Sequence, residues 1–193
     1  MRLYAAVVVI ATGAAMRLLY QLGVVNVPLH DIRAVRGYWR GVRGLGPRFE
    51  FIFAGEVAPG YAWIFPASSD TANIGVGLFD ADGMRSRRPA HLLERLLTSH
   101  PRVAARLQRA ERVGPVRGYP LRTDFPSHPV HGHGWLLVGE AAGLVNPVTG
   151  EGIDLALESA ELAAWAVDRA LRAGDPGVAA RASAQSAESH ATC

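Results

Sequence analysis

A carboxylate at the end of a short apolar run, followed by small residues and a glycine-containing loop, is the arrangement in this chain best suited to chemistry. Residues 135–154 read Trp-Leu-Leu-Val-Gly-Glu-Ala-Ala-Gly-Leu-Val-Asn-Pro-Val-Thr-Gly-Glu-Gly-Ile-Asp. Trp135 to Val138 is an apolar run of the kind buried in a parallel sheet, and ligands of open α/β sheets bind at the carboxyl ends of their strands. Gly139 and Glu140 stand at that end. The Glu140 carboxylate is placed to accept hydrogen bonds from sugar-like hydroxyls, while Ala141, Ala142 and Gly143 let a ligand approach the backbone. Gly150 and Gly152 precede a long helical pattern, so unpaired N–H groups and the positive end of the helix dipole are expected to face an electron-rich atom. A flavin ring has such an atom.

A second pattern lies in Gly60-Tyr61-Ala62-Trp63-Ile64-Phe65-Pro66, followed by Asn73-Ile74-Gly75-Val76-Gly77. Tyr61, Trp63 and Phe65 alternate, so on a strand they share one face. Such a stripe reads either as core or as a wall for an apolar ligand.

Together the two stretches resemble the geranylgeranyl reductase family, relatives of the flavin-dependent aromatic hydroxylases. Its late motif runs Gly-Asp-Ala-Ala-Gly, Asn-Pro, Gly-Glu-Gly-Ile, and its substrate sheet carries Tyr-x-Trp-x-Phe-Pro. The resemblance implies FAD as cofactor, held by Gly139, Glu140, Ala141, Gly143, Pro147, Gly150, Gly152 and Ile153. Glu140 replaces the family's Asp, whose carboxylate binds the ribityl chain; the extra methylene moves it by roughly a bond length. Gly152 and Ile153 would stabilise negative charge on the reduced ring through their backbone, and Tyr61, Trp63, Phe65 and Pro66 would contact substrate. The implied reaction is saturation of C=C bonds in an isoprenoid chain, hydride coming from reduced flavin and a proton from a second group. No catalytic residue is identified; Tyr61 and Glu151 are candidates for the proton donor by chemistry alone. The electron donor, NADPH or a ferredoxin-like protein, is left open. A flavin-dependent hydroxylase or halogenase and a non-catalytic lipid-binding remnant are the alternatives.

The elements that must position these residues follow from local pattern. Ala6 to Ile10 reads as a strand turning at Gly13 and Arg17 to Leu22 as a helix closing on Gly23; a secretory signal in Leu3 to Met16 is the competing reading. Strands are expected over 34–42, 49–55, 62–66 and 71–79, two helices over 89–110 with a restart at Pro101, and a strand over 113–119. The last helix is expected over 152–173, with Asp154, Glu158 and Glu161 early, Arg169 and Arg172 late, and Gly174 beyond. The expected fold is mixed α/β: the C-terminal part of a two-domain FAD-binding fold, with an antiparallel substrate sheet inserted into the remains of the FAD domain. The expected division is 1–24 for the FAD-domain strand and helix, 25–115 for the substrate-binding sheet with helices, 116–173 for the late FAD-domain segment and 174–193 for a loosely ordered tail. A Gly-x-Gly-x-x-Gly turn for the ADP half of FAD is not found in the sequence, so the chain reads as a fragment of such an enzyme.

Composition limits the alternatives. The 193 residues are 49% hydrophobic and 19% charged, with a formal charge of +3, and every cation among the Lys and Arg positions is arginine. That is a globular composition, and the spread of arginines argues against a nucleic-acid surface. The densest patch, Arg85 to Arg88, reads as a solvated loop, with attraction to a diphosphate or an anionic membrane surface as the alternative. A lone Cys193 excludes an intramolecular disulfide and points to a reducing, cytoplasmic setting; peripheral membrane contact is a separate expectation, tied to a lipid-like substrate. His128, His131 and His133 read as a solvated loop, and no metal site is expected.

Overall fold

The computed structural model describes residues 2, 4–26, 32–79, 88–175 and 177. Two compact units emerge. The first comprises Met1–Leu29 with Arg122–Cys193, and the second His30–Leu121.

In the first unit, β1 (Val8–Ile10) pairs in parallel with β8 (Trp135–Leu137), which also pairs antiparallel with β7 (His131–Gly132). Successive strand residues point to opposite faces, so Leu137 packs with Ile10, Met16, Leu19 and Val25, whereas Leu136 and Val138 pack against Ala163 and Ala170. Burial on both faces explains why this strand is apolar throughout. The side chains it meets on the final helix, α4 (Ile153–Ala173), are small: Ala163, Ala166 and Ala170 are buried at helical spacing, which brings the helix close to the sheet. The helix stops at Gly174, as its stop signals suggest, and Asp168 pairs with Arg172 at 2.7 Å in its last turn. The short helix α1 (Arg17–Gln21) follows β1 and contributes the fully buried Leu19. The triple-histidine segment is partly structured, because His131 and Gly132 find pairing partners in Leu136 and Trp135.

The second unit is one antiparallel sheet in the order β3-β4-β5-β2-β6. Its strands are β2 (Ile32–Arg40), β3 (Glu50–Ile52), β4 (Gly60–Pro66), β5 (Thr71–Phe79) and β6 (Glu111–Leu121). Between β5 and β6 come α2 (Pro89–Ser99) and α3 (Pro101–Leu107). Proline begins both helices, a position where its missing N–H costs nothing. The core forms where Leu92, Leu93, Leu96 and Val103 meet Ala62, Ile64, Ala72, Ile74, Val76 and Leu78. Those strand positions alternate, so β4 and β5 each commit one face to the helices.

Strand β6 extends past the expected boundary. It remains paired to β2 through Leu121, absorbing Pro115 in a register shift opposite Gly37, so the sheet unit runs to Leu121 rather than to residue 115. Edge strand β3 is shorter than the expected 49–55, having only β4 as neighbour. The tail expected from 174 onward lies, apart from residues 174, 175 and 177, outside the described residues, as do Arg85 to Arg87.

The face of β5 turned away from the core is kept low by Gly75 and Gly77, which sit opposite Trp63 and Tyr61. A Cβ at Gly75 would overlap the Trp63 indole and lie 2.6 Å from the Val35 carbonyl oxygen. Gly75→Ala is therefore expected to destabilise the chain by about 1–3 kcal/mol, the usual cost of overpacking. Urea unfolding followed by circular dichroism measures it; an unchanged midpoint would mean that the ring moves aside freely.

Candidate functional site

The Gly-Glu-Ala-Ala-Gly stretch leaves β8 as a single 3₁₀ turn, Gly139–Ala142, closed by Gly143 with φ +81°. The turn is anchored to α4 through the Gly139 N–H, which donates to Ser159 Oγ at 2.9 Å. Gly139, Ala141, Ala142 and Gly143 are buried, and Glu140 is half-buried. Expected cofactor residues 139, 140, 141 and 143 thus fall within one turn.

Holding that turn is a pair not anticipated from the sequence. Arg122 is almost fully buried, at 2% exposure. Its Nε and Nη2 donate to the two Asp124 carboxylate oxygens at 2.8 and 2.6 Å, and Nη1 donates to the Ala141 carbonyl at 2.6 Å. Its backbone N–H donates to Glu140 Oε1 at 3.3 Å. Three acceptors arranged in this way satisfy a buried guanidinium as a single acceptor cannot. The Val145 N–H donates to the Arg122 carbonyl, and Phe125 N–H to the Gly143 carbonyl, so residues 122–125 run beside 143–145. Gly143 has to be glycine: its φ is left-handed, and a Cβ would approach Asp124 Oδ1 to 2.8 Å. His128 Nε2 lies 3.6 Å from Asp124 Oδ2, which ties the histidine segment to the same carboxylate.

Burial pushes the Glu140 carboxyl above its ordinary range, while the Arg122 N–H and the guanidinium charge pull against that shift without cancelling it. The physical cause is desolvation of the anion.

The loop after the turn is internally tied. Asn146 Oδ1 accepts from the N–H groups of Val148 and Thr149, and Asn146 N–H donates to the Glu151 carbonyl at 2.7 Å. Gly150 is expected to offer a free N–H, but it donates to the Asn146 carbonyl at 2.8 Å. The donors available to a ligand therefore shift to the start of α4, where Gly152 is the N-cap residue and no side chain caps the helix. Gly152 packs tightly, since a Cβ there would come within 3.1 Å of Val145 Cγ2. Exposed Pro147, Val148 and Ile153 surround this end. The fit to a flavin rests on these uncapped N–H groups and the nearby half-buried carboxylate.

The expected substrate residues lie in the second unit and form a cluster of their own. Tyr61, Trp63 and Phe65 are on the face of β4 opposite buried Ala62 and Ile64, so the stripe is not core. It extends to residues that sequence reasoning left out. Phe51 stands edge-on to Tyr61 and Phe65, Phe49 lies 4.6 Å from Phe65, and Phe79 lies 6.0 Å from Tyr61. Phe53, 79% exposed, completes the set beside Tyr61. The available signal was the period-two run Phe49, Phe51, Phe53, which repeats that of β4. Trp63 Nε1 donates to Asn73 Oδ1 at 2.8 Å, fixing the indole over Gly75. Pro66, expected with the aromatic residues, instead ends β4 opposite buried Ala72, on the face that Ala62 and Ile64 share, because it is an odd number of residues from Tyr61, Trp63 and Phe65.

Two expectations follow from this geometry. Arg122→Met leaves the Asp124 anion buried without its partner and is expected to cost about 3–5 kcal/mol, whereas Arg122→Met with Asp124→Leu recovers most of the loss; urea unfolding of both variants checks the pair. For Glu140, a folded-state pKa above the unfolded value means stability that is complete below the unfolded pKa and lost as pH rises through the folded one. Glu140→Gln should therefore match wild type below about pH 4 and melt higher at neutral pH. A gap that instead opens toward acid would mean that Arg122 makes the carboxylate stabilising.

Residues 46–114, which contain the aromatic strands, match the family model described as the geranylgeranyl reductase catalytic domain. The chain is 41% identical over 121 residues to a menaquinone reductase of Mycobacterium tuberculosis, covering 59% of this chain and 28% of that protein. It is 35% identical over 128 residues to a digeranylgeranylglycerophospholipid reductase of Methanocaldococcus jannaschii, covering 65% and 31%. It spans about a third of the length of these curated relatives. A geranylgeranyl bacteriochlorophyll reductase-like structure from Thermoplasma acidophilum superposes with a TM-score of 0.75 at 24% identity, covering 95% of this chain and 46% of that one. Flavin-dependent halogenases share the fold. The mixed α/β architecture, the antiparallel sheet and the match over residues 46–114 support placing this chain with a portion of the geranylgeranyl reductase family.

Proposed function

We propose that this chain is the C-terminal portion of an FAD-dependent reductase that saturates C=C bonds of an isoprenoid chain. The observation that carries the reading is the aromatic face of the second unit. It lies within the stretch matching the geranylgeranyl reductase catalytic domain, and it offers an apolar ligand a surface that the core does not use. Tyr61, Trp63 and Phe65 bear that ligand, and Gly75 leaves room for the Trp63 indole to lie across the sheet.

In the first unit, Gly139, Glu140, Ala141 and Gly143, with Pro147, Gly150, Gly152 and Ile153 on the following loop, are assigned to FAD. The Glu140 carboxylate accepts from ribityl hydroxyls, with its backbone held in place by the Arg122 fork. The N–H groups at the uncapped start of α4 stabilise negative charge at the ring edge, aided by the helix dipole. When bound and reduced, FAD supplies the hydride. The proton donor is not assigned to a residue. Among the described residues no helix is long and apolar enough to cross a membrane.

The test uses the full chain. Titration with FAD, followed by flavin absorbance and fluorescence, is expected to give saturable binding that Glu140→Gln weakens by about tenfold, the worth of one hydrogen bond to a charged group. Dithionite-reduced FAD and a polyprenyl substrate should then yield products heavier by one hydrogen molecule per double bond. Oxygenated or halogenated products under aerobic turnover would overturn the reductase reading in favour of a hydroxylase or halogenase. Absence of FAD binding at saturating concentration would exclude catalysis by this chain alone.

A further inference from the structure

The exposed face of the sheet is not uniformly apolar. Across the strands, one row runs Phe51, Trp63, Gly75, Arg36, Arg117, each residue directly opposite the next. Residues directly opposite one another point to the same face, so two guanidinium cations close the row that an aromatic pair begins. Neighbouring strands lie about 4.8 Å apart, which puts the strand of Arg36 roughly 10 Å from that of Trp63. The Trp63 indole lies over the glycine between them, so the aromatic surface spans that interval. Arg36 stacks over the Tyr38 ring at 5.2 Å, an interaction that orients the cation without neutralising it. Among the described residues neither arginine has a carboxylate partner. Like charges directly opposite on adjacent strands are destabilising, and β6, which carries Arg117, is an edge strand free to use a neutral residue there.

We propose that Arg36 and Arg117 form an anion subsite that takes the phosphate or diphosphate head of an isoprenoid lipid whose chain lies on Tyr61, Trp63 and Phe65. The inference rests on the aromatic face being the substrate surface. It adds polarity to that surface: the head is held at the β2–β6 end and the chain extends toward β4 and β3. Paired guanidinium groups suit this role because their planar donors match phosphate oxygens two at a time, and the unneutralised pair gains most from a dianion.

Tryptophan fluorescence of the full chain, titrated with geranylgeranyl diphosphate and with geranylgeraniol, tests the assignment. Wild type is expected to bind the diphosphate at least about tenfold more tightly. R36Q/R117Q should lose that preference, keep its affinity for the alcohol and melt at or above the wild-type temperature. R117Q alone, an exposed edge-strand change, is expected to lose most of the preference should the double variant fold poorly. Equal wild-type affinity for both ligands, or a preference that survives R117Q, overturns the subsite and leaves the aromatic surface standing. Failure of wild type to bind either ligand overturns both. Displacement of geranylgeranyl diphosphate by an equal concentration of inorganic diphosphate would mean a site for the free anion and overturn the lipid assignment.

Discussion

A guanidinium with almost no access to water has to be surrounded by acceptors, and the way Arg122 meets that demand organises the first unit around Glu140. Two of its acceptors are the oxygens of Asp124 and a third is the Ala141 carbonyl. The third of these contacts joins the connection after β6 to the turn after β8, two segments apart in sequence. Once they are joined, the backbone N–H of the same arginine meets Glu140, Gly143 is left no room for a side chain, and Val145 is paired to Arg122 before the loop leaves for α4. A neutral side chain of similar length could fill the space, but it would not fix the carbonyl and the carboxylate together. Buried ion pairs are a weak source of net stability, so what this one contributes is the definition of a turn.

The second unit is governed by a different constraint, the period-two alternation of its strands. On β4 and β5 the residues facing α2 and α3 are aliphatic, and those facing away are aromatic or glycine, with Thr71 and Asn73 at the start of β5. The core is thus complete without the aromatics. Seven rings then pack on one another along the open face, several of them more than a third exposed. Exposed apolar area of that extent is uncommon on a surface that meets only water. Gly75 serves that face, since a larger residue there would displace the Trp63 indole that lies over it.

These two constraints differ in how far the sequence discloses them. The order of strands and helices was legible because alternation, proline at helix starts and a glycine stop at residue 174 are local signals. The Glu140 turn was legible for the same reason, as an apolar run followed by small residues. Arg122 was not, because Arg-x-Asp in a proline-rich connection looks like a solvated loop until Ala141 supplies the third acceptor. Tyr61, Trp63 and Phe65 were legible as a stripe but not as an exposed one, since the same alternation describes a buried face. What decides between the two is the position of α2 and α3, which depends on contacts distant in sequence. Gly150 was misread in one respect: a glycine ahead of a helix suggests a free donor, yet Asn146 closes the loop on it.

Glu140 brings the two kinds of reasoning together. Its carboxylate is held in a partly desolvated position where the neutral form is favoured, so at neutral pH its charge works against folding. Shortening the side chain would withdraw the charge toward the backbone and the Arg122 N–H; the longer side chain carries it outward from the turn. Stability alone gives no reason for an acid here, because an uncharged acceptor could take the single Arg122 hydrogen bond. Glu140 thus stands on a turn braced by a buried guanidinium, a required glycine and a helix anchor, and under the proposed assignment to FAD the remaining lone pairs of its carboxylate are what it has to offer.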